Sequence, residues 1–213
     1  MNIDISTNFL LADDHSLIRQ ALLILLEEIG IEGEIYQASN LSQVMENIQT
    51  KPVDIAVIDA HFPDGNSLSI IQEIKKMKPE IRILIFTGID ENTQSLKFIN
   101  AGADGFLSKM AEEEETKQAI IQMMQSGKYL SRMTKALLMT SVQNPSLINP
   151  LKTLTDRELE IAELYAKGLG NLEIANRLSL KQNTVSTVKK RIFEKLNVDN
   201  VMALADLIKN YNS

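Results

Sequence analysis

The chain has 213 residues, a formal net charge of −6 and 44% apolar residues, enough for one large or two small cores and too apolar for a disordered chain. It contains no cysteine, which excludes disulfides and thiolate metal sites, and its longest wholly aliphatic stretch, ALLILL, is far short of a membrane span. The opening MNIDIS carries an acid and no basic flank, so no secretory signal is expected and the cytoplasm is the expected compartment.

In chain order, the first apolar run, Phe9–Ala12, predicts a strand that stops at the adjacent acids Asp13 and Asp14. Leu17, Ile18, Ala21, Leu22, Leu25, Leu26 and Ile29 then fall on one helical face. A weaker strand near Glu34–Ala38 precedes a helix over 40–49. The strand Ile55–Ile58 ends at Asp59, and a helix follows at 67–77. The strand Ile81–Phe86 ends at Thr87, with a helix at 91–101. The short strand Phe106–Leu107 ends at Ser108-Lys109, with a helix at 112–126. Five strands alternating with five helices predict a doubly wound, five-stranded parallel α/β sheet. The strands lack polar alternation, as expected when both faces are covered. A short helix fits Tyr129–Thr140, and the proline-containing SVQNPSLINPLK, residues 141–152, reads as a linker.

From Thr155 the pattern is purely helical. Thr155 and Glu158 predict a capping box that opens a helix to about Lys167, ended by Gly168. A short helix at 171–178, a turn at 179–181, a longer helix to about Leu196 and a last helix at 200–210 make a small all-α, four-helix domain. The charge divides with the pattern. Residues 1–149 hold 12 Lys/Arg against 20 Asp/Glu, whereas residues 150–213 hold 10 against 8. An acidic half joined to a locally basic one suggests two domains with different partners. The expected limits are 1–128 for the first domain, 129–149 for the connection and 150–213 for the second.

In an open parallel sheet, ligands bind beyond the carboxyl ends of the strands. Asp13, Asp14, Asp59, Thr87 and Lys109 all stand there. One acid at a strand end is ordinarily a solvated loop start; the joint pattern over four strands points to a site. Clustered carboxylates need a cation, and an all-oxygen set suits Mg²⁺. A hydroxyl and an amine beside them suit a phosphoryl group, and a carboxylate can be the nucleophile that accepts it.

The segments LLADDH, VIDAHFPDG, IFTG and AGADGFLSK resemble the receiver domain of bacterial two-component response regulators, whose fold is flavodoxin-like. The resemblance covers residues 8–127. It implies Asp59 as phosphoacceptor, with Mg²⁺ held by Asp14, by Asp13 mainly through water, by Asp59 and by the backbone carbonyl of His61. It also implies that Thr87 bonds the phosphoryl group, that Lys109 pairs with it and that Phe106 is the aromatic switch. Phe106 lacks the hydroxyl of the tyrosine often found there, and Ser67 stands where the family usually has glycine. The His61 side chain is expected in a loop, outside the chemistry. The run Glu112–Glu115 is expected as the solvated first turn of a helix, complementing its dipole.

In the second half, two short helices and a tight turn suggest a helix-turn-helix. Val185, Val188, Ile192 and Leu196 share one face of the longer helix and are expected in the core. Lys181, Gln182, Asn183, Thr184, Ser186, Thr187, Lys189, Lys190 and Arg191 form the expected DNA-binding set. Lys190 and Ser186 are placed at bases, and Lys181, Lys189 and Arg191 at phosphates. The pieces LTDRE, NLEIA, TV and EKLNV resemble the LuxR-type DNA-binding domain. Gly170 and Lys181 replace its usual capping serines, Val188 a common polar residue and Ser186 a common lysine.

Receiver plus LuxR-type domain resembles the NarL/FixJ-type response regulator. The resemblance implies a DNA-binding transcription regulator activated when a sensor histidine kinase phosphorylates Asp59. It implies promoter DNA and a homodimer on activation as partners, no membrane, and no enzymatic role beyond phosphorylation and slow dephosphorylation at Asp59. The alternative is an orphan regulator that binds DNA without phosphorylation. A haloacid-dehalogenase-like phosphatase needs a second aspartate two residues after the nucleophile, where His61 stands. A ligand-sensing LuxR-type regulator fits less well, because the first domain has few aromatics for an apolar pocket.

Overall fold

A computed structural model of the chain describes residues 6–143 and 149–211. The chain separates into two compact units, one running through Thr140 and the other beginning at Ser141.

The first unit is built on strands β1 (Phe9–Ala12), β2 (Ile35–Ala38), β3 (Ile55–Ile58), β6 (Arg82–Thr87), β7 (Gly105–Ser108) and β8 (Tyr129–Leu130). They form one parallel sheet in the order β2-β1-β3-β6-β7-β8. The doubly wound class is as expected, with a sixth, two-residue strand at the edge. Residues 61–66, expected as a loop, form a small hairpin of β4 (His61–Phe62) and β5 (Gly65–Asn66).

Alternate residues explain the continuous apolar runs. Leu10, Ala12, Ala56, Ile58, Ile83, Ile85 and Phe106 face α2 (Leu41–Thr50), α3 (Leu68–Met77) and α4 (Glu91–Ala101). Phe9, Leu11, Ile55, Val57, Leu84, Phe86 and Leu107 join a separate core with α1 (Ser16–Ile29) and α5 (Glu113–Ser126). A strand covered on both faces has no solvent side to mark with polar residues. The glutamates at the start of α5 are exposed, as expected of its solvated first turn.

Ser67 fits without glycine because its φ is −63°, an ordinary helical value. The left-handed position is taken by Gly65, at φ +148°, inside the hairpin. Ser67 is buried, and its N–H and hydroxyl both donate to the Ala60 carbonyl, at 2.9 and 3.3 Å.

The helix expected over Tyr129–Thr140 is corrected at both ends. Tyr129 is buried, and its N–H donates to Asp104 O at 3.1 Å, which draws the chain into the sheet before a helix can begin. Helix α6 then runs Arg132–Gln143, into the segment expected as linker. The linker residues 144–148 lie outside the described residues. Pro150–Thr153 form a 3-10 turn capped by Asn149, whose side chain accepts from Leu151 N at 2.9 Å.

The second unit holds α7 (Asp156–Ala166), α8 (Asn171–Leu178), α9 (Gln182–Leu196) and α10 (Val201–Tyr211). Its core joins Ile161, Ala162, Leu164, Tyr165, Ile174, Val185, Ile192, Leu196, Leu204 and Ile208. The Thr155–Glu158 capping box is formed: Thr155 N–H donates to Glu158 Oε2 at 2.8 Å and Glu158 N–H to Thr155 Oγ1 at 3.3 Å. At α8 only half of such a box exists, with Gly170 N–H donating to Glu173 Oε2 at 2.7 Å, because glycine has no hydroxyl to reciprocate.

Candidate functional site

The β1, β3, β6 and β7 ladders bring the expected residues to one sheet edge. Asp59 N–H donates to Ala12 O at 2.8 Å and Lys109 N–H to Thr87 O at 2.9 Å, so the residues following the strands stay in register. Asp13 and Asp59 are buried, as is Thr87, and Asp14 is partly exposed. Carboxylates hidden from water need a cation. Lys109 supplies it: its Nζ lies 2.6 Å from Asp13 Oδ2 and 2.6 Å from Asp59 Oδ2. Burial pushes the Lys109 amine down, but the hydrogen bonds and charges of Asp13 and Asp59 outweigh it and hold the ammonium above its ordinary value. The second Asp59 oxygen, Oδ1, accepts from Ala60 N–H at 2.6 Å, which fixes the carboxylate plane.

Two residues at the pocket escaped the sequence reading. His15 N–H donates to Asp13 Oδ1 at 2.9 Å, and its Nδ1 lies 2.8 Å from Asp14 Oδ1. Arg19 donates from Nη1 to the Asp13 carbonyl at 2.6 Å. The adjacency Asp14-His15 was the only sequence signal for the first; a helical residue reaching back to β1 left none for the second. Asp13, Asp14, His15 and Asp59 each offer a ligand atom within 4.8 Å of the others. The three carboxylates fit a hard, oxygen-seeking cation such as Mg²⁺. The His61 imidazole is exposed and meets Asn66 Nδ2 at 3.3 Å across the hairpin, outside this cluster.

Phe106 is fully buried, its ring centroid 6.0 Å from that of Phe98 on α4. Its side chain therefore points into the core.

In the second unit, Lys181, Gln182, Asn183, Thr184, Ser186, Thr187, Lys190 and Arg191 are exposed. Opposite them Val185, Ile192 and Leu196 are buried and Val188 is half-buried. Lys181 gives α9 no side-chain cap, as its replacement of serine implies. Ser186 and Lys189 of the expected set are held by other helices of their own domain. Ser186 Oγ accepts from Asn171 Nδ2 at 2.9 Å and donates to Gln182 O at 3.2 Å. Lys189 Nζ sits over the rings of Tyr165 and Phe193, 5.0 and 5.3 Å from their centroids. Asn171 also accepts from the Tyr165 hydroxyl at 2.8 Å, so one amide ties α7, α8 and α9 together. A helical wheel of α9 alone cannot reveal Asn171 or Tyr165. No helix among the described residues is long and apolar enough to cross a membrane.

An acidic strand-end pocket in one unit and an exposed basic helix in the other define a two-domain signalling regulator. Comparison with known proteins agrees. Residues 9–121 match the response regulator receiver domain, and residues 152–208 match the LuxR family of bacterial regulatory proteins. The chain is 29% identical to response regulator UvrY of Escherichia coli strain K12, over 94% of this chain and 92% of that one. It is 30% identical to the DNA-binding transcriptional activator DevR/DosR of Mycobacterium tuberculosis, over 89% of this chain and 88% of that one. Its fold is similar to RcsB from Salmonella enterica serovar Typhimurium, solved bound to a promoter with a phosphomimetic. That likeness has a TM-score of 0.66 and 21% identity, covering 96% of this chain and 98% of the other. The chain belongs to the response regulators that join a receiver to a LuxR-type DNA-binding domain, the NarL/FixJ type.

Proposed function

We propose that Asp59 is the phosphoacceptor of this regulator and that its phosphorylation, by a sensor histidine kinase, controls binding of the second domain to promoter DNA. The observation that carries this reading is the Lys109 ammonium bridging Asp59 and Asp13 at 2.6 Å each. A buried carboxylate paired with an ammonium at a strand end is a competent nucleophile. One of its oxygens bonds phosphorus, the bond from phosphorus to the donor imidazole breaks, and the leaving imidazole takes up a proton. Asp13, Asp14, Asp59 and the His61 carbonyl would hold Mg²⁺, which supplies charge for the phosphoryl oxygens. Lys109 neutralises the same charge from β7, and Thr87 donates its hydroxyl to the phosphoryl group. The only chemistry proposed for the chain itself is this phosphorylation and the slow loss of the group from Asp59.

The second domain, residues 150–213, reads DNA with α9. Lys190 and Ser186 stand toward bases, Lys181, Lys189 and Arg191 toward phosphates, and Asn183 lies on the same face. Gln182, Thr184 and Thr187 complete the polar face. One such module reads a short half-site, so two copies bind a pseudo-symmetric operator as a homodimer. Receiver residues 1–128 and the connection 129–149 carry the control, and the protein works in the cytoplasm.

The test is intact mass after incubation with acetyl phosphate and Mg²⁺. A gain of one phosphoryl group is expected in wild type and none in Asp59→Asn; undiminished labelling of that variant sinks the assignment. Asp14→Ala should lose most of the labelling and most of the thermal stabilisation by Mg²⁺. Equal stabilisation of variant and wild type would place the cation elsewhere.

A further inference from the structure

We propose that the His15 imidazole is a ligand of the cation in the acidic pocket, and that its nitrogen makes the pocket prefer transition ions such as Co²⁺ and Ni²⁺ to Mg²⁺. The proposal rests on the reading of the pocket as a divalent-cation site and sharpens which cation it takes.

The ring stands where a capping side chain would be expected. His15 is the N-cap of α1, in extended backbone, yet its side chain makes no cap hydrogen bond. Residues favoured at that position offer an oxygen to the first N–H groups of the helix. The imidazole turns instead to the strand end. Its Nδ1 lies 2.8 Å from Asp14 Oδ1 and 3.3 Å from Asp13 Oδ1. The His15 backbone N–H donates to the same Asp13 oxygen at 2.9 Å, which holds the root of the ring beside the carboxylates. The side chain is 69% exposed, so an arriving ion reaches it without opening the core. The carboxylate oxygens are already divided. Lys109 takes Asp13 Oδ2 and Asp59 Oδ2, and the oxygens that meet the imidazole are the ones Lys109 does not take. A lysine and an ion can therefore share Asp13 without competing for one oxygen.

The spacing suits coordination. On an octahedral ion with bonds of about 2.1 Å, adjacent ligand atoms lie about 3.0 Å apart and opposite ones about 4.2 Å. The two Nδ1 distances bracket the first figure. Asp13, Asp14, His15 and Asp59 each present a ligand atom within 4.8 Å of the others, close to the second. Mg²⁺ takes oxygen ligands and gains little from a ring nitrogen. Imidazole suits the later first-row ions, whose affinity for mixed nitrogen and oxygen sites rises from Mn²⁺ toward Cu²⁺. Three carboxylates with one imidazole therefore hold such ions more tightly than three carboxylates alone. With Nδ1 on the ion, the ring carries its proton on Nε2. The pocket then fills with a transition ion at concentrations well below those that Mg²⁺ requires.

The test is isothermal titration of the full-length protein with Co²⁺ and with Mg²⁺, in wild type and in His15→Asn. Asparagine keeps a hydrogen-bond donor near the position of Nδ1 but supplies no imidazole nitrogen. Co²⁺ affinity should fall about tenfold or more in His15→Asn, with Mg²⁺ affinity within about threefold of wild type. His15→Ala should show the same loss of preference, and serves if His15→Asn folds poorly. Proton NMR gives a direct readout, because the chain has only two histidines. Paramagnetic Co²⁺ should move one ring N–H far outside the ordinary range. That signal should be absent in His15→Asn and should disappear from wild type in excess Mg²⁺. An imidazole that only donates a hydrogen bond to Asp14 predicts no such signal and a Co²⁺-to-Mg²⁺ preference unchanged by His15→Asn. Either result overturns the nitrogen ligand, and Mg²⁺ binding to wild type in the same titrations leaves the cation site standing. Absence of Mg²⁺ binding in wild type overturns both.

Discussion

Lys109 and Lys190 carry the same charge and are handled in opposite ways. The Lys109 side chain is 15% exposed and clamped between two buried carboxylates, whereas Lys190 is 81% exposed and lies 3.9 Å from Glu194. The pocket holds acids close together against their repulsion, with one internal cation compensating until a ligand arrives. The basic helix keeps its charge in water, where it contributes little to folding and remains available for a polyanion. Buried charge is a property of the fold, and exposed charge is a property of the encounter.

Lys109→Ala should break this contrast most severely. It strands two buried carboxylates, and removing one partner of a buried ion pair costs about 3–5 kcal/mol. Urea unfolding of the receiver should show the loss, with Mg²⁺ recovering part of it. A change under about 1 kcal/mol would mean that the acids are not held by Lys109.

Lys190→Ala should leave stability within about 0.5 kcal/mol yet weaken specific DNA binding by about 1–3 kcal/mol and alter sequence preference. Isotherms on specific and scrambled duplexes decide; equal losses on both remove Lys190 from the base-reading residues. Lys189 tests the middle ground. Its ammonium rests on Tyr165 and Phe193, so Lys189→Ala should cost about 0.5–1 kcal/mol of stability and lower the salt slope of binding by about one. A stability loss with no change in slope would make it a packing residue alone.

The smallest expected effect is one of pH. Hydrogen bonds from Lys195 at 2.7 Å and from Thr155 hold the Glu158 carboxyl below its ordinary value of 4.5. A lowered folded value means that the contribution is fully present above pH 4.5 and is lost as pH falls through the folded value. Protection factors over the first turn of α7, corrected for the pH dependence of intrinsic exchange, should therefore fall on acidification below pH 4.5 in wild type, and much less in Glu158→Gln.

The pocket was legible because strand ends fix side chains through the backbone. Once Phe9–Ala12, Ile55–Ile58 and Arg82–Thr87 are neighbouring parallel strands, Asp13, Asp59 and Thr87 have one edge to share. The fold class followed from the same apolar runs. What the sequence hid depends on contacts made at a distance or on elements too short for a period. Asn171 takes the Ser186 hydroxyl across two helices, and Arg19 in α1 reaches back to the Asp13 carbonyl in the loop after β1. The hairpin at residues 61–66 and strand β8 have two residues per strand, too few for any alternation to register.

Strand β8 also bears on where this protein can be cut. It covers the open edge of β7, whose backbone groups would otherwise face solvent. An uncovered edge of an apolar sheet is a template for pairing with another chain. A receiver ended at residue 128 would keep every group of the acidic pocket and still lose that cover, so self-association of such a fragment would report a severed edge and not a phosphorylation-driven dimer. A fragment carried through Leu130 keeps the edge closed and makes the two distinguishable.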